Sequence, residues 1–432
     1  GRCSVNAFSH SYSYSHGLEL GLGLGFAAPR IGTIRTSSNP ISNPVSNSYS
    51  TVSFAAFSSK KRIFTRLYAT DAKSESGDKA RVLFLGTPDV AATSLKAIVE
   101  DSKKEGSSFQ VVGVVTQPPK RRKRRGKEVP SPVGLTAEEL DIPVLCPEKA
   151  KDPEFLTDLE TNYKPDLCIT AAYGQYLPKR FLAIPKYGTL NIHPSLLPRW
   201  RGASPVQRSL EAGDNPVGVS VLFTVSKMDA GPIVSQKTET INTNDDATKV
   251  LPLLFDIGTK SLLEAIPDVV GGKITMDTAM QQDEDLVVNA DMIHSSEGEL
   301  RVWKESATVC HNKVRGFSMW PGTFLYFIVG DDDENDESAD STTDAPEPMK
   351  VKVLETKVLH EKAGSVDPTQ DVNLGPTKKD GLHLVCGDGS VLELIKVQPA
   401  TRKAMDARSF VNGLRGKKLK WVETMPELQE EK

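Results

Sequence analysis

Cysteine is scarce in this chain of 432 residues, and the five that occur lie far apart. None belongs to a C-x-x-C pair or lies near a histidine cluster, which argues against a disulfide framework and against a zinc site. We expect buried free thiols in a protein of a reducing compartment. The five are Cys3, Cys146, Cys168, Cys310 and Cys386.

Long hydrophobic runs are missing as well. No stretch of about 18 apolar residues is available to cross a bilayer, so we expect no membrane partner. The hydrophobic fraction of 38% and the charged fraction of 25% are typical of globular proteins. One hydrophobic core rarely organises a chain of this length, so two folded domains with additional segments are predicted.

Acidic residues are nearly absent from residues 1–70, which contain seven Lys or Arg, fourteen serines and one acid, Glu19. This composition is typical of an organellar transit peptide, with a retained disordered tail as the alternative. The tripeptide Arg66-Leu67-Tyr68 resembles a mitochondrial cleavage site, whereas serine richness also fits a plastid. We expect the mitochondrial matrix, or otherwise the plastid stroma. Because the chain begins at Gly1 rather than at methionine, we expect its true N-terminus to be missing.

Strand-like and helix-like patterns alternate over residues 79–265. Apolar runs at 81–85, 111–116, 167–172, 189–193 and 217–223 are separated by turns and helix-length spacers, and a helical pattern at 245–265 closes the series. Such alternation predicts an α/β domain with a Rossmann-like, mostly parallel sheet. The dinucleotide pattern G-x-G-x-x-G is absent because Gly86 stands alone in the first turn, so NAD is not expected.

The pattern of apolar and turn residues changes after residue 265. Residues 266–287, with Pro267, Gly271 and Gly272, read as a linker, and residues 288–425 carry short β-rich runs that predict an OB-like antiparallel β-barrel. Within that domain, residues 330–348 are crowded with Asp and Glu and almost free of apolar side chains. We predict a disordered acidic insertion there.

The segment GTLNIHPSLLPRWRGASP, residues 188–205, carries the most informative polar pattern. Asn191 and His193 alternate with apolar residues, so they share one face of a short strand that Pro194 ends. Ligands of open α/β sheets bind beyond the carboxyl ends of the strands. A fixed amide donor beside an imidazole can stabilise the oxyanion formed when a carbonyl is attacked. A structural or capping role is the alternative for this motif alone.

Extended to Leu210, this segment resembles the signature of the folate-dependent formyltransferases. Its RWRGA stretch and its glutamine, Gln207, are similar to those of the methionyl-tRNA formyltransferases within that family. RVLFLGTPDVAATSL, RGKEVPSPV and AAYGQYLP match that family in order and spacing, over roughly residues 80–425. The resemblance implies a catalytic domain that binds 10-formyltetrahydrofolate, with no metal, and a barrel-like domain that helps to hold methionyl-initiator tRNA. The implied reaction is formyl transfer to the methionyl amino group.

The resemblance also implies further site residues. Asp229, in the stretch MDAGP, matches a third catalytic group found in a loop after a hairpin-like segment, where a carboxylate would order a proton-carrying water near the histidine. A turn residue is the alternative. The implied donor pocket, for which ordinary core and turn structure is the alternative, comprises Tyr173, Gly174, Leu177, Pro178, Ser195, Leu196, Leu197 and Pro198.

Cations are concentrated in two places. Residues 120–127 hold seven in eight positions, where the family carries an insertion loop, and Arg125-Gly126-Lys127 matches its Arg-Gly-Lys element. A solvated loop or a localisation signal is the alternative. A second cluster lies between residues 401 and 420, and both clusters suit RNA phosphates. The predicted tRNA-binding residues are Arg121, Arg122, Arg124, Arg125, Lys127, Arg402, Lys403, Lys417 and Lys418.

Two other functions remain open at this stage. A different formyltransferase or a 10-formyltetrahydrofolate hydrolase could use the same three residues on a small amine or on water. A non-catalytic tRNA-binding relative would bind RNA without forming a folate-dependent product. For the formyltransferase that the resemblance implies, we expect a monomer.

Overall fold

The computed structural model describes residues 79–121, 126–330, 347–359 and 372–423. The predicted transit segment at 1–70 and nearly all of the predicted acidic insertion lie outside the described residues. Arg122, Arg124 and Arg125 also lie outside them.

The first half of the described chain is built around a seven-stranded sheet covered by helices. The strands of this sheet are β1 Ala80–Gly86, β2 Phe109–Val115, β5 Val144–Leu145, β6 Leu167–Ala171, β7 Thr189–His193, β9 Val217–Phe223 and β10 Ile233–Glu239. Three short strands lie outside it, β3 Lys120–Arg121, β4 Glu128–Val129 and β8 Arg199–Gly202. Its helices are α1 Asp89–Ser102, α2 Pro132–Glu139, α3 Pro153–Asp158 with a further π-helical turn Leu159–Tyr163, α4 Lys179–Leu182, α5 Pro205–Ala212 and α6 Ala247–Val270.

The strand order is β10-β9-β7-β6-β1-β2-β5. The five strands from β7 to β5 are parallel, and β9 is antiparallel to both of its neighbours, β7 and β10. The central strands carry apolar side chains on both faces of the sheet, and helices cover both faces and bury them. In β1, Val82 and Phe84 pack in the core beneath α1, whereas Leu83 and Leu85 pack in the core beneath α3. The predicted mostly parallel α/β fold is confirmed.

Helix α6 runs five residues beyond its predicted end at residue 265. Pro267 lies inside it and cannot donate the helical hydrogen bond, a loss of about 3 kcal/mol. Ile266 and Val269 are fully or almost fully buried in the core, and burying two such side chains stabilises by a comparable amount, about 1.5–3 kcal/mol each. The predicted linker therefore begins within a helix.

The segment after α6 is hydrogen-bonded to the first sheet. The amide of Ile233 donates to the carbonyl of Met280 at 2.8 Å, and Met280 donates back at 3.1 Å. Farther on, β11 Val288–Ala290 pairs in parallel with β8. The segment predicted to be a linker is therefore fixed against the domain that carries the candidate site.

The second domain is built around an antiparallel sheet. Its elements are β12 Thr323–Gly330, β13 Met349–Leu359, β14 Asn373–Leu374, β15 Leu382–Val385, β16 Val391–Pro399, β17 Met405–Asp406, β18 Lys418–Val422, α7 Ala307–Gly316 and α8 Ala407–Asn412. The strand order is β14-β15-β16-β13-β12-β18, and β17 pairs with β16 outside this order. The sheet curls until the amide of Val372, beside β14, donates to the carbonyl of Leu419 in β18 at 3.2 Å. This half-barrel confirms the predicted antiparallel domain.

Helix α7 connects the two domains. Its His311 is buried, with Nδ1 at 2.9 Å from the hydroxyl of Thr356 in β13 and Nε2 at 3.1 Å from the carbonyl of Thr243 before α6. Burial lowers the pKa of His311 below its ordinary value. No helix within the described ranges combines the length and the apolar character needed to span a bilayer.

Candidate active site

The polar pair Asn191 and His193 lies at the carboxyl end of β7. Leu190, which precedes Asn191, and Ile192, which lies between Asn191 and His193, are buried in the core of the first domain. The alternation therefore turns the amide and the imidazole to the other face of the strand. This end of the parallel strands is the usual ligand-binding edge of such sheets.

The side chain of Asn191 has a defined orientation. The hydroxyl of Thr170, on the neighbouring strand β6, donates to Asn191 Oδ1 at 2.7 Å. Because a hydroxyl donor is matched with the amide oxygen, the NH2 group of Asn191 is left to face another partner. The amide is thus set to donate rather than to accept.

His193 is almost completely buried and lies between two oxygen atoms. Its Nε2 is 2.9 Å from the carbonyl of Trp200, and because a carbonyl only accepts, Nε2 carries the hydrogen. Its Nδ1 is 3.7 Å from Asp229 Oδ2. The second ring nitrogen therefore faces this carboxylate.

Asp229 lies in the loop that joins β9 to β10, within the hairpin rather than after it. Its backbone is left-handed, with φ of 48°, and its Oδ2 accepts a hydrogen bond from the amide of Gly202 at 3.0 Å. Only glycine fits at position 202, where φ is 133° and an added Cβ would lie 2.6 Å from the carbonyl oxygen of Ala290. The three predicted catalytic residues are therefore neighbours at one site.

Gln282 is a site residue that the sequence patterns did not indicate. Its Nε2 donates to the carbonyls of Asp229 at 2.8 Å and Gly231 at 2.7 Å, and its Oε1 accepts from Arg201 Nε at 2.9 Å. It belongs to the segment predicted to be a linker, and no local signal distinguishes it from its exposed neighbour Gln281.

Arg201 connects this loop to a surface ion pair. Its Nη1 donates to Glu284 at 2.9 Å, and Lys227 contacts the other carboxylate oxygen at 2.5 Å. The hydrogen bond from Lys227, followed by that from Arg201, lowers the pKa of Glu284. Arg201 is only 5% exposed. Burial and these hydrogen bonds together restrict the movement of its guanidinium group.

The loop after β6 holds the first part of the predicted donor pocket. The carbonyl of Tyr173 accepts from Thr87 Oγ1 at 3.0 Å and from Gln117 Nε2 at 3.3 Å, and the carbonyl of Gly174 lies 3.4 Å from the same amide. Tyr173 and Leu177 are buried, and burial raises the pKa of the Tyr173 phenol. This loop is thus tied to the loops that follow β1 and β2, at the edge where β7 also ends.

The second part of the predicted pocket is mostly engaged within the protein. The hydroxyl of Ser195 donates to the carbonyl of Arg199 at 2.9 Å, the amide of Leu197 donates to Ser220 Oγ at 3.1 Å, and the carbonyl of Leu197 accepts from Gln236 at 2.8 Å. Leu197 is also buried. Any contact of this segment with a ligand would therefore involve chiefly the side chains of Leu196 and Pro198, which are only partly buried.

Two large side chains are exposed on the loops beside these residues. Tyr176, which precedes Leu177 and Pro178, is 68% exposed, and Met228, which precedes Asp229, is 67% exposed. Exposed apolar surface next to a few fixed polar groups is typical of small-molecule sites. These loops therefore present exposed side chains beside the polar groups of the candidate site.

The cations at 120–127 begin at the same edge. Lys120 Nζ donates to Gln117 Oε1 at 3.1 Å, and Arg121 lies 3.6 Å from Glu128 across the hairpin formed by β3 and β4. Arg121 and Lys127 are exposed. The described part of this loop thus projects from the ligand-binding edge with cations directed to solvent.

The other predicted tRNA-binding residues lie in the second domain. Arg402, Lys403, Lys417 and Lys418 are exposed there. Arg408, in the same stretch of sequence, instead donates to the carbonyls of Gly375 and Asp380, at 2.9 and 3.3 Å, and holds the turn between β14 and β15. The cations of this cluster therefore differ in their roles.

No group of three or more His, Cys, Asp or Glu side chains that could hold a metal ion occurs in the described part of the chain. The arrangement near β7 instead offers an amide donor, an imidazole and a carboxylate. Such a set can stabilise an oxyanion and move protons at a carbonyl carbon.

Comparisons with known proteins agree with this chemistry. Residues 80–266 match the family described as "Formyl transferase", and residues 292–415 match "Formyl transferase, C-terminal domain". The methionyl-tRNA formyltransferase of Bdellovibrio bacteriovorus is 34% identical over 336 residues, which cover 78% of this chain and 96% of that protein. The methionyl-tRNA formyltransferase of Bacillus subtilis is 32% identical over 333 residues, covering 77% and 94%.

A solved structure shows the same fold. The sugar 3N-formyl transferase WlaRD, crystallised in the presence of dTDP and 5-N-formyl-THF, superposes with a TM-score of 0.50 at 14% identity. The match covers 76% of this chain and all of that one.

Proposed function

This chain belongs to the formyl transferase family, and we propose from that membership that it transfers the formyl group of 10-formyltetrahydrofolate to the amino group of methionyl-initiator tRNA. One observation carries the substrate assignment. The chain matches methionyl-tRNA formyltransferases along 96% and 94% of their lengths, through both domains.

The substrate amine is the nucleophile in the proposed reaction. It attacks the formyl carbon, a C–N bond forms and the carbonyl oxygen becomes an oxyanion. Asn191, held by Thr170, donates to this oxygen through its NH2 group. Protonated His193 adds positive charge beside this oxygen, while its Nδ1 faces Asp229. A fixed donor of this kind contributes about 3 kcal/mol to the transition state.

Proton transfer completes the reaction. The attacking amine loses a proton, and the folate nitrogen must gain one before its bond to the formyl carbon breaks and tetrahydrofolate departs. In the proposal, Asp229 takes up the first proton and, through a water molecule, passes it on; its carboxylate oxygen lies 3.7 Å from His193 Nδ1, which supports this role. The carbonyl then re-forms as the formamide of the product.

The test is formyl transfer by the purified protein. Labelled 10-formyltetrahydrofolate is incubated with methionyl-initiator tRNA, and in parallel with a sugar amine or glycinamide ribonucleotide. We expect label on the tRNA, and a fall in kcat on the order of a hundredfold for Asn191→Ala. Label on the small amines alone would contradict the substrate assignment. Binding of tRNA with no formylated product would favour a non-catalytic role.

The exposed cations support the proposed RNA partner. Arg121 and Lys127 project from the edge that carries the candidate triad, and binding to phosphates weakens as salt rises. Deleting residues 120–127 is expected to raise the KM for tRNA far more than the KM for the folate donor. Equal loss of both would indicate a folding defect instead.

The proposed location is an organelle. The Arg-rich, Ser-rich and acid-poor composition of residues 1–70 supports the mitochondrial matrix, with the plastid stroma as the alternative. A fluorescent protein fused behind these residues should enter one of the two compartments. We also propose that the protein is a monomer, which sedimentation velocity would test.

A further inference from the structure

The loop that carries Asp229 is hydrogen-bonded to a segment distant in sequence through the amide of Gln282. Its NH2 group donates to the carbonyls of Asp229 and Gly231, at 2.8 and 2.7 Å, which uses both of its hydrogens. Its oxygen accepts from Arg201. One half-buried side chain thus binds the loop on either side of Ala230.

Arg201 determines the orientation of this amide. A guanidinium group only donates, so the amide oxygen must face Arg201 and the NH2 group must face the two carbonyls. A flipped amide would set donors against donors and carbonyls against carbonyls. Arg201 is itself buried and bound to Glu284, so it has little freedom to adjust.

The backbone of Asp229 needs such support. A residue other than glycine with φ of 48° is strained, and surrounding contacts must hold it there. Its carboxylate has one hydrogen bond, from Gly202, among the described residues. Gly202 follows Arg201 directly, so the carboxylate and the carbonyl of Asp229 are bound from the same short region.

We propose that Gln282 is a positioning residue for the reaction. It holds the peptide groups of the Asp229 loop so that the carboxylate faces His193 Nδ1. The inference rests on the proposed function, and it assigns to the segment between the two domains a role in arranging the catalytic site.

Gln282→Leu removes the hydrogen bonds at nearly constant size, and Gln282→Glu removes the two donors while keeping an acceptor for Arg201. We expect kcat to fall by about 10- to 30-fold in both, as two hydrogen bonds of ordinary strength are lost. The KM values for folate donor and tRNA should change by less than about twofold, since neither contact binds substrate.

Gln281 provides matched controls. It is exposed, and its amide donates to the carbonyls of Met276 and Ala279, away from Asp229. Gln281→Leu and Gln281→Glu make the same changes one position earlier, and should keep wild-type kcat. Thermal unfolding of all four variants identifies any that fail to fold, and Gln282→Glu serves if Gln282→Leu does not fold.

A second background separates positioning from general destabilisation. In Asp229→Asn, measured in single turnovers at high enzyme concentration, the addition of Gln282→Leu should cause little further loss, because the carboxylate that Gln282 positions is gone. A wild-type kcat in both Gln282 variants, or an undiminished loss in the Asp229→Asn background, would overturn the inference. Absence of formyl transfer by the wild-type protein would refute the proposed function and this inference together.

Discussion

We expect the hydrogen bond from Thr170 to set which end of the Asn191 amide faces the substrate, and replacing Thr170 with valine tests this directly. The hydroxyl donates to Asn191 Oδ1 at 2.7 Å and lies 3.2 Å from the carbonyl of Leu190. Valine keeps the branched shape and removes only the hydroxyl. The amide of Asn191 then has no donor to distinguish its oxygen from its NH2 group.

The expected loss follows from the size of that preference. A neutral hydrogen bond contributes about 1 kcal/mol net, which favours the productive orientation of the amide by roughly fivefold. Without that bond the two orientations become about equally populated, so kcat should fall by roughly twofold. Removing the amide altogether should cost about 3 kcal/mol, or on the order of a hundredfold. Thr170→Val should therefore lie between the wild type and Asn191→Ala.

The assay is the initial rate of formyl transfer at saturating donor and tRNA. Thr170→Ser, which retains a hydroxyl, should stay close to wild type. In an Asn191→Ala background, Thr170→Val should add little, because there is no amide to orient. Full activity of Thr170→Val would show that the hydroxyl does not set the amide, and a loss equal to that of Asn191→Ala would refute the magnitude argued above.

Three further outcomes follow from the geometry. His193→Ala should lower kcat by about a hundredfold or more while leaving the protein folded, and full turnover would contradict the proposed mechanism. Gly202→Ala should lower the free energy of unfolding by roughly 2–6 kcal/mol, through backbone strain and steric overlap, as measured by denaturant titration. Gly106 is the control, because its φ is 76° but no atom lies within 4 Å of an added Cβ, and Gly106→Ala should cost about 1 kcal/mol. Since burial lowers the pKa of His311, the unfolded chain binds more protons as pH falls through 6.5, so stability is complete above that pH and declines below it. His311→Gln should flatten this decline in melting temperature, and an unchanged slope would show that another group causes it.

Much of the fold could be predicted because local patterns agree with tertiary burial. The alternation around Asn191 and His193 indicated a strand with a polar face, and the structure places both residues at the carboxyl end of β7. The end of α6 could not be predicted, because Pro267 normally interrupts a helix and only the core beneath Ile266 and Val269 compensates for it.

The supporting residues of the candidate site could not be found in the same way. Thr170 precedes Asn191 by 21 positions and Gln282 follows Asp229 by 53, and neither has a partner at a spacing that any short motif records. Their roles depend on which strands become neighbours in the sheet and on where the chain passes after α6. Such information arises only when the elements are assembled in space.

The pairing of β8 with β11 has a consequence for dividing this polypeptide into parts. A fragment ending at residue 266, where the match to the first family domain stops, would contain Asn191, His193 and Asp229 but neither Gln282 nor the strand beside Gly202. Such a fragment would expose β8 and leave the Asp229 loop without its support. Recombination between relatives is therefore expected to give active hybrids more often when the crossover falls after Ala290 than when it falls at the end of α6.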